Sequence, residues 1–328
     1  MKVILAVDSI TTLSILLDEM IARSWPAGTE AQVVSIVEDG GISPETWRKE
    51  GYGINAIRRE LERRGEQISG LAVERLREAG IPCRVVVMRG NPDFLISFAA
   101  RKWPADLIII RAHNRKDFRN RLLGSVAKSV VESAPCSVEV IRTPVAAGSI
   151  NAQRGLRVLL PTDGSEGSLG AADAVAEMNW PDGTELKVIS VVSALNYSLE
   201  ELGLSRGTRS EQAHRAVDDA VEILSPTQLK VTGDVITGKA SRKIIEHAGK
   251  WKADLIVLGA NESHGLKGWL LGSTSAAVAN QAHCSVRVIR GRSVSRNGRS
   301  LPLRRSRRYL DDVDFGIPVK SVQKPVRL

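Results

Sequence analysis

Residues 251–290 read WKADLIVLGANESHGLKGWLLGSTSAAVANQAHCSVRVIR. Leu255 to Leu258 is a short branched apolar run, the kind that a strand buried on both faces requires. Gly259 ends it, and a polar, glycine-containing loop follows from Ala260 to Gly268. Leu270-Leu271-Gly272-Ser273-Thr274-Ser275 then opens the helix-like segment AAVANQA, and Ser285 to Ile289 alternates as a closing strand. A strand, a glycine-hinged loop and a helix start together form a recipe for holding phosphate. The N–H groups at a helix start have no intrahelical partner, and Gly272 lets an anion approach without a Cβ in the way.

The same block occurs earlier, as WPADLIIIRAHNRKDFRNRLLGSVAKSVVESAPCSVEVIR over residues 103–142. Ala105-Asp106-Leu107-Ile108 matches Ala253-Asp254-Leu255-Ile256, Leu122-Leu123-Gly124-Ser125 matches Leu270-Leu271-Gly272-Ser273, and Cys136-Ser137-Val138 matches Cys284-Ser285-Val286, all at an offset of 148. The chain is therefore an internal duplication. Upstream the repeat continues: Asp8 recurs as Asp163, and Trp25-Pro26 as Trp180-Pro181, at an offset of 155. A shorter helix in the second copy explains most of the difference between the two offsets.

In chain order, the first half predicts strands at Val3–Val7, Ala31–Val37, Arg84–Met88, Leu107–Ile110 and Val138–Ile141. Between them lie helical patterns at Leu13–Ile21, Asn55–Ala79, after Asn91-Pro92-Asp93, and Val126–Glu132, with Ser9, Thr11 and Thr12 as candidate caps for the first. The second half repeats the order, with strands at Leu156–Leu160, Leu186–Val192, Lys230–Ile236 and the two of the opening stretch. Each half reads β-α-β-α-β-α-β-α-β, an α/β class with two doubly wound, mostly parallel sheets. Domains are expected at residues 1–143 and 155–290, joined by a small, polar linker over 144–154. Residues 291–328 have too little apolar periodicity for another domain and are expected to be a basic, flexible tail.

Composition narrows the function. The formal charge is +9, but the tail alone holds ten Lys/Arg against three Asp/Glu, which leaves the body close to neutral. The body thus has no basic stripe for nucleic acid, and nonspecific contact would fall to the tail. No run approaches a membrane span, the start Met1-Lys2-Val3-Ile4-Leu5 resembles no signal peptide, and a cytoplasmic location is the expectation. The three cysteines, Cys83, Cys136 and Cys284, read as small buried residues, and the five histidines show no ligand spacing, so no metal centre is expected. No Walker A pattern or Gly-x-Ser-x-Gly elbow occurs, and no base marks Ser165 as a nucleophile, so no catalytic set is identified.

Several pieces together carry a family resemblance: LLPTDGSEGS at 159–168, the Ala-Asp-Leu-Ile strand starts, GLKGWLLGSTSAAV at 265–278 and CSVRVIR at 284–290. Both halves resemble the universal stress protein (UspA-type) domain, in its tandem form. The resemblance implies an adenine-nucleotide alpha-hydrolase-like fold without a fixed catalytic set. Nucleotide-binding members carry Gly, two residues, Gly, nine residues, then Gly followed by Ser or Thr. Gly259, Gly272 and Ser273 fall on that pattern, with Glu262 in place of the middle glycine. In the first half Gly124 and Ser125 remain, but Arg111 and Asn114 replace the other glycines. The family's aspartate after the first strand falls on Asp8 and Asp163, on the ribose and adenine side, and its adenine-facing backbone on Ile36 and Val191.

Each position also has a plainer reading. Gly272-Ser273 and Gly124-Ser125 could simply start helices, and Asp8 and Asp163 could cap the helices that follow. Arg111 could bind an anion, or fill a vacated cleft and pair with Asp8. Asn261, His264 and Lys267 could donate to phosphate or serve loop solubility. A carboxylate at Glu262 opposes a triphosphate unless it points away or shares a divalent cation. The leading expectation is one ATP, with or without magnesium, in the second half, the first half being a degenerate partner, in a sensor or regulator of the stress response. The alternatives are a structural or interaction module without ligand, and an ATP-using enzyme of the same fold; slow hydrolysis would need a base that the sequence does not identify. The duplicated terminal strands predict that the halves pack as a pseudo-two-fold pair, since an exposed strand edge needs cover; the resemblance implies the same, because stand-alone members commonly pair such edges between subunits, and a homo-oligomer is a candidate assembly of the whole chain.

Overall fold

The computed structural model describes residues 1–38, 54–112, 122–142, 155–193, 208–262 and 269–290. Asn114, His264, Lys267, the linker at 144–154 and the tail therefore lie outside the described residues.

The first half contains β1 (Lys2–Val7), α1 (Ile10–Ile21), β2 (Glu30–Val37), α2 (Ile54–Glu78), β3 (Cys83–Arg89), α3 (Pro92–Lys102), β4 (Leu107–Arg111), α4 (Ser125–Ser133) and β5 (Ser137–Ile141). The second half contains β6 (Arg157–Pro161), α5 (Glu166–Ala176), β7 (Glu185–Val192), α6 (Thr208–Leu224), β8 (Lys230–Thr237), α7 (Ala240–Trp251), β9 (Leu255–Gly259), α8 (Ser273–Gln281) and β12 (Ser285–Ile289). Local chemistry sets several of the boundaries. Ser9 caps α1 by accepting from the Thr12 N–H at 3.1 Å, and Asn91 caps α3 with proline in its first turn. One feature departs from the expected loop: β10 (Asn261–Glu262) pairs antiparallel with β11 (Trp269–Leu270), as Asn261↔Leu270 and Glu262↔Trp269. Two-residue strands give no periodicity to read.

All strand pairs within each half of the main sheet are parallel, and each half has the order 3-2-1-4-5. Among the described residues the two sheets join into one of ten strands, β3-β2-β1-β4-β5-β12-β9-β6-β7-β8, because β5 and β12 pair antiparallel at the centre. The terminal strands thus cover each other's edges, as the duplication predicts.

Alternation along the strands sorts the core. On one face Ile4, Ile108, Val138, Ile256 and Val286 lie under α3, α4, α7 and α8, in a single core that runs across both halves. On the other face α1 and α2 cover Val3, Leu5 and Ile109, while α5 and α6 cover Val158, Leu160 and Val257, in two separate cores. Cys136 and Cys284 are buried in the shared core, where desolvation pushes both thiols up to about 12. Among the described residues, no helix is long and apolar enough to cross a membrane.

Reciprocal contacts close the seam. Arg142, just past β5, donates to the carbonyls of Ala279 (2.7 Å) and Asn280 (3.0 Å) in the last turn of α8. Arg290, its equivalent past β12, donates to the carbonyls of Val131, Glu132 and Ala134 at the end of α4. The Arg142 N–H donates to Ser285 Oγ, and the Arg290 N–H to Ser137 Oγ. Each half therefore satisfies orphan helix carbonyls in the other.

Candidate functional site

In both halves the strand order reverses beside the first strand, between β1 and β4 and between β6 and β9. Ligands in such sheets sit past the carboxyl ends of the strands at that point. In the second half, Asp163 follows β6, Gly259 ends β9, and Val191 lies near the end of β7. The last β6–β7 pair is Pro161↔Ile189, and the Thr162 N–H donates to the Ile189 carbonyl at 2.8 Å. The Val192 carbonyl accepts on the opposite side, from the Gly238 N–H at 2.8 Å. Strand alternation therefore turns the N–H and C=O of Val191 toward β6 at a level that β6 has already left. A main-chain donor and acceptor at a strand end suit the edge of a flat heterocycle.

Asp163 does not cap α5. Ser165 does, accepting from the Ser168 N–H at 3.3 Å, and Asp163 Oδ1 accepts from the Ser165 N–H at 3.0 Å. Gly164, at φ +76, makes the left-handed step of this turn. Burial opposes the Asp163 charge, but hydrogen bonds from Ser165 and Ser168 outweigh it and hold the carboxyl below its usual range. The result is an oriented, exposed carboxylate at the mouth of the cleft. Asp8 is likewise displaced from capping, because Ser9 fills that role in α1.

Gly259 has a role different from the one the loop pattern suggests. A Cβ on it would lie 2.0 Å from the Gly167 carbonyl oxygen and 2.7 Å from the Ser168 nitrogen. The glycine admits the first turn of α5 against the end of β9, so its requirement is internal packing. Gly272 is the opposite case. Its φ of −58° is open to any residue, and among the described residues a Cβ there would meet nothing within 4 Å. Neither backbone strain nor contact with a described residue requires glycine at 272. It precedes α8, whose N-terminus has no side-chain cap, and it is exposed together with Ser273. Ser275, in the first turn of α8, donates to the Gly259 carbonyl at 3.3 Å, tying this helix start to the end of β9. Asn261 follows in β10, and α5 packs against that strand.

The structure thus gathers Asp163, Val191, Gly259, Asn261, Gly272 and Ser273 around one switch point. Free N–H groups at α8 suit phosphate, the Asp163 carboxylate suits ribose hydroxyls or a divalent cation, and the Val191 backbone suits adenine.

The first half keeps the same frame with different side chains at its mouth. Asp8, Arg111, Gly124 and Ser125 occupy the equivalent positions, and Gly124 is again an uncapped helix start. A residue missed in the sequence comes between them. Arg64 of α2 donates from Nη2 to the Asp8 carbonyl and from Nε to Ser35 Oγ at 3.2 Å, across the ends of β1 and β2. The position matching Arg64 at the repeat offset of 148 is Gln212, so comparing the two long helices gives the signal. Arg111 also carries a Cβ where Gly259 has none, so α1 cannot approach β4 as α5 approaches β9. A separate cavity of about 220 Å³ lies at the seam between α4 and α8, beside Lys128, Glu132 and Asn280. Among the described residues, no cluster of His, Cys, Asp or Glu forms a metal site.

Two tandem doubly wound α/β units define the class of protein, and comparison with known proteins gives the family. The profile described as the Universal stress protein family matches residues 1–142 and 156–290, and the chain belongs to that family. A universal stress protein of Methanocaldococcus jannaschii is 31% identical over 138 residues, covering 41% of this chain and 81% of that protein. One from Mycobacterium tuberculosis is 29% identical over 191 residues, covering 57% of this chain and 62% of the relative. The crystal structure of a universal stress protein from Archaeoglobus fulgidus shares the fold over 88% of this chain and 96% of its own, with a TM-score of 0.60 at 20% identity.

Proposed function

We propose that the second half binds one adenine nucleotide, ATP foremost and with or without magnesium, and that occupancy is the signal of a stress-response sensor or regulator. The observation that carries this reading is Gly272: a glycine that neither packing against the described residues nor backbone geometry requires, at a helix start without a side-chain cap among the described residues, beside the switch point. Asp163 would meet the ribose and Val191 the adenine edge. The first half, with Arg64 and Arg111 at its cleft, would serve as structural partner. Binding would act by shifting a surface or an assembly equilibrium, in the cytoplasm. The domains would be residues 1–143 and 155–290, with 144–154 as linker and 291–328 as an appended basic tail.

The second reading is an interaction module without ligand. The role of Gly259 favours it, since packing against α5 accounts for that glycine without phosphate. Acid release of small molecules from the freshly purified protein separates the two. Adenine nucleotide near one equivalent per chain supports the first; nothing released, and nothing retained after incubation with ATP, supports the second.

A further inference from the structure

The central strand pair contains an asymmetry that the duplication makes legible. In β5 and β12 the register is Val286↔Val140, Arg287↔Glu139 and Val288↔Val138. Positions 139 and 287 are equivalent at the repeat offset of 148, so the pseudo-two-fold axis passes between Glu139 and Arg287. Both are buried, at 0% and 6% exposure. Arg287 Nε donates to Glu139 Oε2 at 2.7 Å, and Arg23, just past α1, donates to both Glu139 oxygens at 2.8 and 2.9 Å. Arg23 also holds the buried Glu19 at 2.8 Å. At the earlier offset of 155, Arg23 corresponds to Met178 and Glu19 to Ala174, and Met178 Sδ lies 2.8 Å from Arg287 Nη1. The cluster occupies the face on which the two cores are separate.

We propose that this divergence is a pairing code, by which each half accepts the other half and rejects a second copy of itself. The reciprocal arginines and serines of the seam are the same on both sides and would serve like and unlike pairs equally. The axis would not. Two first halves would set Glu139 against its own copy, with excess negative charge from the two sets of Glu19, Arg23 and Glu139. Two second halves would set Arg287 against its own copy with no anion at positions 174 or 178. The unlike pair alone balances Glu19, Arg23, Glu139 and Arg287. Like charges directly opposite destabilise a strand pair, and a buried charge without its partner is strongly unfavourable. Specificity then comes from the unfavourable alternatives.

The test uses the full chain. R287E sets two carboxylates opposite, and E139R sets two guanidiniums opposite. Each should lower the thermal midpoint by about 10 °C and populate larger species by light scattering. The mirrored variant E19A/R23M/E139R/A174E/M178R/R287E moves the charge set across the axis. It should regain more than half of that loss and the wild-type mass; a mirrored variant no better than either reversal would overturn the code. Should the reversals fail to fold, E139Q/R287Q decides. It should fold, yet return from denaturant at high concentration with multimers joined through like halves, while wild type returns to its starting mass. Refolding of the neutral variant to the wild-type mass alone would show that the axis charges do not choose the partner.

Discussion

Gly259 and Gly272 stand 13 residues apart in one loop-and-helix unit, and the same substitution at each should have opposite effects. At 259 an added methyl would lie 2.0 Å from the Gly167 oxygen, 2.3 Å from its carbonyl carbon and 2.7 Å from the Ser168 nitrogen. These are backbone atoms in the first turn of α5 and cannot rotate away. Either β9 or the helix must retreat by about 1 Å or more, and overpacking of that kind costs about 3 kcal/mol. For a unit of this size the thermal midpoint should fall by about 6–10 °C. At 272 the methyl would meet no described residue within 4 Å, at an ordinary φ of −58°. The cost there is at most the poorer N-cap quality of alanine, roughly 1 kcal/mol. Urea and thermal unfolding of G259A and G272A should thus differ by about 2 kcal/mol or more, while G272A loses ATP affinity by at least about tenfold if phosphate approaches that Cα. G259A with wild-type stability would refute the close helix–strand approach. A G272A variant as destabilised as G259A would refute the assignment of Gly272 to a ligand.

Acid should find the central carboxylate. Burial opposes the Glu139 charge, but Arg23 and Arg287 outweigh it and bring the carboxyl down to about 2 from an ordinary 4.5. Its stabilisation is therefore complete above pH about 4.5 and lost as pH falls toward about 2; the urea midpoint should drop through that window, and E139Q should remove this part of the slope. Arg290→Ala strands the buried carbonyls of Val131 and Ala134 and the half-buried one of Glu132, and should cost about 3 kcal/mol in urea unfolding; an unchanged midpoint would show that α4 ends without this cap. Deleting residues 291–328 should leave the thermal midpoint unchanged and abolish any salt-sensitive RNA binding, as expected where a tail holds most of the excess charge.

The fold was legible because duplication supplies a second copy of every signal. Branched runs such as Leu255–Leu258 and the alternation of Ser285–Ile289 located strands whose bounds the structure moves by only a residue or two. Packing across the duplication was less visible. Arg64 reaches β1 and β2 from the middle of a charged helix, where helical periodicity marks it only as surface. Gly259 matched a phosphate pattern, yet its requirement comes from Gly167 in α5, 92 residues upstream. The Glu139–Arg287 pair shows the same limit. A charge in an alternating strand reads as an outward position, and only strand order places both residues on a buried axis.

The most direct test of the account is a calorimetric titration of nucleotide-stripped, full-length protein with ATP, with and without magnesium. Among the described residues both halves have an uncapped helix start, but Arg64 crosses the strand ends of the first only, and this predicts one site per chain. G272V should abolish that site, and G124V should leave it intact. Removing the Glu262 carboxylate should tighten binding if it faces the phosphates, or weaken only the magnesium-dependent part if it shares the ion. Two equivalent sites, or one that survives G272V, would contradict the assignment to the second half; no heat of binding at all would contradict nucleotide recognition by this chain.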